Sequence, residues 1–256
     1  MTWKIKQLSN IKLKDAIMIE GLPGIGNVGK LAMDFIIDTL DAKKMYEINS
    51  VHFPSCVFIN EDNIIELPKI EIYHKKLKNK DLFLVSGDAQ PMEERACYEL
   101  CDNLLNLFEK QRGKEIITLG GIGMQNDPKI PRVYCTGTDK KIIEKYSGEG
   151  IINNIYGSVG PIIGISGLLL GVAKQKNISG VSYLAETFGH PSHLGIRGAR
   201  EIIKVLNKKL DLKLNINKID REIESIEREI NGRTKNMKEM PKPKIRLPSK
   251  MTDYIG

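Results

Sequence analysis

Short apolar runs alternate along this chain with glycine turns and stretches of helical period, and this order constrains the fold more than any other feature. The strand-length runs are Ala16–Glu20, Leu82–Ser86, Ile116–Leu119 and Ile178–Leu184. Glycine-rich turns follow the first and the third of these runs, at Gly21–Gly26 and Gly120–Gly123. A repeated order of strand, turn, helix and strand predicts an α/β sandwich with a largely parallel sheet.

Apolar residues at helical spacing fill most of the intervals between these runs. The predicted helices pass through Leu31, Phe35 and Ile36, run from Pro91 to about Arg112, and cover about Ile162–Gln175 and Leu194–Lys209. The stretch Met45–Tyr73 has β-like runs and no helical period, which predicts an antiparallel edge or a hairpin insertion. Together these elements form a predicted domain over residues 1–212.

A second segment, residues 213–240, has a narrow apolar stripe. Its apolar positions alternate at spacings of three and four: Ile216, Ile219, Ile223, Ile226 and Ile230. Charged residues between them include Glu224 and Arg228 at the favourable i,i+4 spacing. Such a stripe predicts a helix that packs either on its own domain or against a helix of another subunit, and the sequence leaves both alternatives open.

The last segment, residues 241–256, is a basic tail in which Pro241, Pro243 and Pro248 prevent a helix. Its tip is Tyr254, Ile255 and Gly256. An aromatic and an aliphatic residue beside a free carboxylate suit a pocket that captures a chain terminus. The alternative is an unstructured end.

The distribution of charge argues against a nucleic-acid-binding face. The formal net charge is +7, from 39 basic and 32 acidic residues. Residues 1–14 contribute +4 and residues 241–256 contribute +3, so residues 15–240 are neutral. A nucleic-acid-binding domain usually concentrates its basic residues on a folded face, so a nucleic-acid-binding face is not expected. A basic tail can still meet an acidic protein surface or RNA, and a basic-tailed RNA binder stays open as a third hypothesis.

No feature of the sequence predicts secretion or a membrane span. The four cysteines show no disulfide or CxxC spacing, and Cys97 and Cys101 are predicted core thiols. The N-terminus lacks the apolar core of a signal peptide, and the longest apolar run, Gly160–Ala173, is interrupted by glycine. We therefore expect a cytoplasmic protein without membrane contact.

The glycine loop Gly24–Leu31 resembles two phosphate-binding patterns and fits neither. A dinucleotide fingerprint requires an acidic residue about 20 positions on, and Glu47 and Asn49 are poor candidates. A Walker-type loop requires Ser or Thr after Lys30, where this chain has Leu31. The favoured interpretation is a tight turn with close helix–sheet contact, and no cofactor is expected.

A set of polar residues at predicted strand ends supports a second hypothesis, a small-molecule enzyme. Glu186 and His190 follow one strand and Asp88 follows another, and a carboxylate beside an imidazole suits acid–base work. Asp88 or Gln90 can also simply cap the next helix. His190 and His193 lie in a loop without fixed ligand geometry, so no metal site is expected.

Five motifs in order over roughly residues 15–212 resemble the archaeal branch of the proteasome assembly chaperone family. They are Glu20–Gly29, Ser86–Pro91, Gly120–Gly123, Gly164–Gly171 and Glu186–Pro191. The resemblance implies a three-layer αβα sandwich of the phosphorylase type, a homo-oligomer without known catalysis. It also implies a partner, the α-subunits of the proteasome core particle.

Members of that family can carry a C-terminal hydrophobic–tyrosine–any tripeptide that inserts between adjacent α-subunits. In this chain Tyr254 is third from the end rather than second. The resemblance therefore implies partner binding through Tyr254, Ile255 and Gly256 in a register shifted by one residue.

Overall fold

The computed structural model describes residues 2–157, 160–191, 193–217 and 219–221. The chain divides into two units, residues 1–216 and residues 217–256. The first unit contains all of the helices and strands whose bounds are given below.

Strands and helices alternate in the first unit as the sequence predicts. The strands are β1 (Trp3–Gln7), β2 (Ile17–Glu20), β3 (Lys43–Ser50), β4 (Phe58–Ile59), β5 (Ile65–Glu66), β6 (Ile70–Lys76), β7 (Asp81–Gly87), β8 (Glu115–Met124), β9 (Val133–Gly137), β10 (Ile151–Ile152) and β11 (Ser179–Phe188). The helices are α1 (Val28–Thr39), α2 (Glu94–Lys110), α3 (Lys140–Tyr146), α4 (Ile165–Gln175) and α5 (Ile196–Leu210).

Most strands join one mixed sheet in the order β1-β3-β6-β7-β2-β8-β11-β9-β10, and β4 pairs with β5 alone. The central strands β7, β2, β8 and β11 are parallel. On one side β1, β3 and β6 continue the sheet antiparallel, so Met45–Tyr73 forms the predicted antiparallel edge with an inserted hairpin. The carboxyl ends of the four parallel strands therefore share one edge of the sheet.

Helices cover both faces of the sheet and complete three layers. Helix α1 packs beside α5, and α2 packs beside α4. Because successive residues of a strand face opposite ways, Met18 and Ile116 bury their side chains among residues of α2 and α4, such as Leu104 and Leu169. The predicted three-layer αβα fold is confirmed.

The predictions fail at the ends of two strands. Gly120–Gly123 was expected to be a turn after β8, but it continues that strand, because β11 pairs in parallel with it from Ser179 to Phe188. Glu186 was expected in a loop, yet it lies inside β11 and is buried. Helix α2 begins at Glu94 rather than Pro91. The edge strand β1 and helix α3 were not predicted.

Candidate functional site

A cleft of about 500 Å³ lies at the carboxyl edge of the parallel strands. Its walls come from the loop after β2, from the glycine-rich end of β8, and from residues 160–164 before α4. In open α/β sheets ligands bind outside the carboxyl ends of the strands, and this volume is within the range of small-molecule sites. The cleft is therefore the first candidate for a functional site.

Glycines in the loop after β2 and in the first turn of α1 allow close packing between α1 and the sheet. A Cβ on Gly29 would lie 2.4 Å from the carbonyl oxygen of Leu119, and a Cβ on Gly21 would lie 2.3 Å from the carbonyl oxygen of Gly29. In β8, a Cβ on Gly121 would lie 2.3 Å from the carbonyl oxygen of Ile25. Since backbone atoms occupy the space of any larger side chain, packing explains these glycines without a bound phosphate.

The lysine of the Walker-like pattern is engaged elsewhere. The Nζ of Lys30 donates to Oδ2 of Asp34, one turn along α1, at 2.6 Å. Lys30 is not among the residues that line the cleft. The structure therefore gives no support to the nucleotide-binding alternative.

Glu20, the last residue of β2, is a buried acid close to the cleft. Its Oε1 accepts the backbone N–H of Leu22 at 3.0 Å, whereas its Oε2 has no hydrogen-bond partner among the described residues. Burial raises the pKa of Glu20 to about 7, although the N–H of Leu22 and the hydroxyl of Ser166 partly oppose this rise. Both Leu22 and Ser166 line the cleft.

Two buried hydroxyls lie beside Glu20 in the sheet. Thr118 of β8 is in register with Glu20 and also with Ser182 of β11. Thr118 Oγ1 and Ser182 Oγ, like Glu20 Oε2, are buried and have no hydrogen-bond partner among the described residues. We call Glu20, Thr118 and Ser182 the polar row. Sequence reasoning missed it, although a lone polar residue inside an otherwise apolar strand is a signal for such a group.

Glu186 is fully engaged by its neighbours rather than poised for acid–base chemistry. Its carboxylate accepts the backbone N–H and the Nε of Arg132, at 3.0 and 2.8 Å, and the hydroxyl of Tyr134 at 3.0 Å. Burial alone would raise the pKa of Glu186, but the hydrogen bonds from Arg132 and Tyr134 bring it below its ordinary value. The carboxylate therefore stays ionised.

The structure does not bring Glu186, His190 and Asp88 together. Asp88 follows β7, and two strands separate β7 from β11, a distance of about 14 Å across the sheet. Oδ2 of Asp88 accepts the backbone N–H of Lys69 at 3.1 Å, while the ring of His190 stacks on Phe188. This separation is far beyond hydrogen-bond reach, so these residues form no shared site.

Gln90 caps a helix, but not the expected one. Its Oε1 accepts the backbone N–H of Ile165, the first residue of α4, at 2.8 Å, and its Nε2 donates to the carbonyl oxygen of Pro23. Asp88 does not cap α2 either, because that helix begins six residues later. Gln90 therefore ties the loop after β2 to α4 across one side of the cleft.

The β4–β5 hairpin exposes a dense group of apolar side chains. Ile59 is 70% exposed and Ile65 is 68% exposed. The exposed group, which we call the apolar hairpin, consists of Val57, Phe58, Ile59, Ile64, Ile65 and Leu67. Contiguous exposed apolar surface is typical of sites that bind other proteins.

Only part of the isoleucine stripe falls within the described residues. Ile216 is half-buried, and Ile219 is buried. Ile223, Ile226 and Ile230 lie outside the described residues, as do Tyr254, Ile255 and Gly256. The roles of the stripe and of the tail stay predictions.

Within the described ranges, no cluster of three or more His, Cys, Asp or Glu side chains is placed to hold a metal ion. No helix of this part of the chain has the length and apolar character needed to cross a membrane.

The fold and the cleft define a class: a three-layer αβα protein with an uncharged cleft at the carboxyl edge of its sheet and an exposed apolar hairpin. The model of the PAC2 family matches residues 18–233. The chain belongs to the PAC2 family, and the family resemblance read from the sequence is confirmed.

Solved structures and a curated relative match nearly the whole chain. PbaB of Pyrococcus furiosus, described as an archaeal proteasome activator, is 32% identical with a TM-score of 0.82, over 91% of this chain and 99% of PbaB. PbaA of the same organism, described as an archaeal homolog of proteasome-assembly chaperone, is 25% identical with a TM-score of 0.74, over 92% and 93%. Uncharacterized protein MJ1210 of Methanocaldococcus jannaschii is 28% identical over an alignment of 258 positions that covers 100% of this chain and 97% of the relative.

Proposed function

We propose that this chain is a non-enzymatic assembly chaperone that binds α-subunits of the proteasome core particle. The observation that carries the proposal is the match of nearly the full chain to PbaB and PbaA, whose descriptions both concern the proteasome. The apolar hairpin is consistent with a protein partner. The separation of Glu186 from Asp88 removes the arrangement on which the enzyme hypothesis depended.

In this proposal the chain acts as a homo-oligomer that presents several C-terminal tails. The tips Tyr254, Ile255 and Gly256 enter pockets between adjacent α-subunits, and the bases of residues 241–250 favour approach to an acidic surface. Several tails that bind together raise a weak single-tail affinity by a factor of about 10²–10⁴.

Removal of residues 241–256 tests the tail. We expect the truncated chain to lose co-elution with recombinant α-subunits while its own folding is unchanged. Tyr254→Ala is expected to weaken co-elution far more than Lys250→Ala, because the ring enters the pocket and the lysine only steers. Unchanged co-elution of the truncated chain would reject tail insertion, and equal effects of the two substitutions would point to nonspecific charge.

The oligomer is tested by sedimentation of Ile223→Ser with Ile226→Ser. Ile219 is left unchanged because it is already buried within one chain, so its substitution would mix folding with assembly. We expect the double variant to dissociate. Glu224→Ser with Glu227→Ser, one residue after each of the two isoleucines, is the matched control and is expected to sediment as the wild type does. A monomeric wild type would reject the stripe as an interface.

The apolar hairpin can be tested apart from the tail. Ile59→Ser with Ile65→Ser changes two exposed side chains, so the thermal midpoint is expected to stay close to that of the wild type. We expect weaker co-elution with α-subunits, since the body supplies contacts that the tails lack. Wild-type co-elution would remove the hairpin from the proposed interface.

A second candidate function is activation of a finished core particle, favoured by the description of PbaB as an activator. The two functions differ in the form of the proteasome on which the protein acts. An activator raises peptide hydrolysis by preassembled core particles, whereas a chaperone raises the yield or rate of assembly from separate subunits. Measurement of both with the same preparation distinguishes them.

A further inference from the structure

The polar row lies directly beneath the cleft. Gly120 and Leu184 line the cleft and follow Thr118 and Ser182 by two residues, so they face the same side of the sheet. Leu22, another lining residue, follows Glu20 by two residues and donates its backbone N–H to that carboxylate. The buried oxygens of the row therefore lie one residue layer below the floor of the cleft.

Buried polar atoms without partners are rare in folded proteins and call for an explanation. Three such atoms belong to the polar row and lie in adjacent strands of one sheet, so they form a local cluster. Gly120, which lines the cleft two residues after Thr118, has no side chain to cover Thr118. The packing of the apolar core does not require this cluster, since Val, Leu and Met fill such positions without any polar atom.

Ser166 connects the cleft with the row. It lines the cleft from the first turn of α4, and its hydroxyl donates to the carbonyl oxygen of Leu119 at 3.2 Å. The same hydroxyl lies close enough to Glu20 to lower its pKa, although its proton is donated to Leu119. A ligand group that hydrogen-bonds to the Ser166 hydroxyl is therefore separated from the Glu20 carboxylate by a single side chain.

Among the described residues, the lining of the cleft offers no positive charge to Glu20. Its walls consist of Gly, Leu, Ile, Pro, Gln and Ser residues, none of them charged. From helix α2 the titratable group that faces Glu20 is the thiol of Cys101, whose pKa is raised mainly by burial and also by Glu20. A buried carboxylate with apolar surroundings favours either its own protonation or a cation brought from outside.

We propose that the cleft binds a small primary amine with an aliphatic body. The ammonium group donates to the hydroxyl of Ser166, the carboxylate of Glu20 supplies the opposite charge beneath it, and the aliphatic part contacts Ile25, Ile162 and Leu184. Ser166 is the contact residue and Glu20 acts through it. The proposal does not depend on the proteasome function.

Proton release gives the proposal a specific signature. Burial raises the pKa of Glu20 to about 7, so part of the Glu20 side chains carry a proton near neutral pH. A bound ammonium favours the carboxylate, so binding at this pH releases protons. An uncharged ligand of the same shape releases none.

The test is calorimetric titration of the full chain with n-hexylamine at pH 7, in two buffers of different ionisation enthalpy. We expect saturable binding with proton release, and binding of hexan-1-ol at least about tenfold weaker. Glu20→Gln keeps the shape of the side chain and is expected to lower the affinity at least about tenfold and to abolish proton release. Ser166→Ala is expected to weaken binding as well. Absence of hexylamine binding, equal binding of the alcohol, or wild-type behaviour of Glu20→Gln would each overturn the proposal.

A pair of glycine variants places the site. A Cβ on Gly24, which lines the cleft, meets nothing within 4 Å, and its φ of −162° suits any residue. Gly24→Leu is therefore expected to fill the cleft and abolish binding without loss of folding. Gly171→Leu, at an open position on the exposed side of α4, is the matched control and is expected to bind as the wild type does. Retained binding in Gly24→Leu would place the amine elsewhere and overturn the assignment.

Discussion

Arg132 and Glu186 form an ion pair whose two side chains differ greatly in exposure. The Nη2 of Arg132 lies 2.6 Å from Oε1 of Glu186, and the Arg132 side chain is 60% exposed whereas that of Glu186 is 4% exposed. Arg132 also donates its Nε and its backbone N–H to the same carboxylate. Arg132, which directly precedes β9, thus supplies three of the hydrogen-bond donors that stabilise the Glu186 carboxylate within β11.

We expect Arg132→Ala to lower the free energy of unfolding, because a buried carboxylate loses two charged donors. The exposure of Arg132 lets water replace part of the interaction, which keeps the effect below that of a fully buried pair. Urea denaturation at neutral pH measures it. Arg95→Ala breaks an exposed i,i+4 pair with Glu99 and is expected to change the free energy of unfolding much less than Arg132→Ala does. Similar effects of the two substitutions would contradict this account.

The pKa of Glu20 predicts a pH dependence of stability. It is about 7 in the folded chain, against 4.5 for an unperturbed glutamate. Between these values the folded chain keeps a proton that the unfolded chain has released, so stability falls as the pH rises from about 4.5 to 7. Glu20→Gln is expected to remove this contribution, on the order of 3 kcal/mol, when the free energies of unfolding at pH 5 and pH 8 are compared.

Glu186→Gln is the control for that comparison. The pKa of Glu186 in the folded chain is below its ordinary value. Glu186 therefore contributes to the free energy of unfolding at a pH above its pKa in the unfolded chain, and this contribution is lost as the pH falls. The fall in stability between pH 5 and pH 8 should therefore persist in Glu186→Gln and disappear in Glu20→Gln. If both variants follow the wild type, Glu20 does not titrate in this range.

The sequence was sufficient to predict the three layers of this fold, but it did not predict where the strands end. Apolar runs and helical periods predicted β2, β7, β8 and β11 because burial on both faces leaves a clear pattern. Gly120–Gly123 suggested a turn, since glycine is common in turns. Only the three-dimensional packing of Ile25 against Gly121 shows why glycine is needed within β8.

The candidate site was less predictable for a related reason. Glu186 and Asp88 were chosen because they follow apolar runs, but their separation depends on the order of strands in the sheet, which the pattern does not give. Conversely, Glu20, Thr118 and Ser182 are far apart in sequence and meet only through the register of β2, β8 and β11. A local pattern can show a polar residue within each apolar strand, but it does not show that the three residues lie side by side.

The glycine packing can be tested with a matched pair of helix substitutions. Gly29 in α1 and Gly171 in α4 are both inside helices, where alanine is intrinsically better by about 0.5–1 kcal/mol. A Cβ at position 171 meets nothing within 4 Å, whereas one at position 29 meets the backbone oxygen of Leu119 at 2.4 Å. We therefore expect Gly171→Ala to raise the free energy of unfolding by about 0.5 kcal/mol or more and Gly29→Ala to lower it by about 1–3 kcal/mol. Changes of the same sign would refute the packing explanation.

Two of the four lysines in the basic N-terminus lie on the edge strand β1. This strand is at the end of the sheet and pairs with β3, and both Lys4 and Lys6 are exposed on it beside the partly exposed Ile5. Charged side chains on an edge strand oppose its pairing with another molecule.

We expect Lys4→Thr with Lys6→Thr to increase concentration-dependent light scattering, because threonine favours strands and removes the charge. Lys12→Thr with Lys78→Thr removes the same charge from exposed positions outside the strands and is expected to leave the scattering unchanged. An equal increase in both variants would mean that net charge, rather than protection of the β1 edge, limits association.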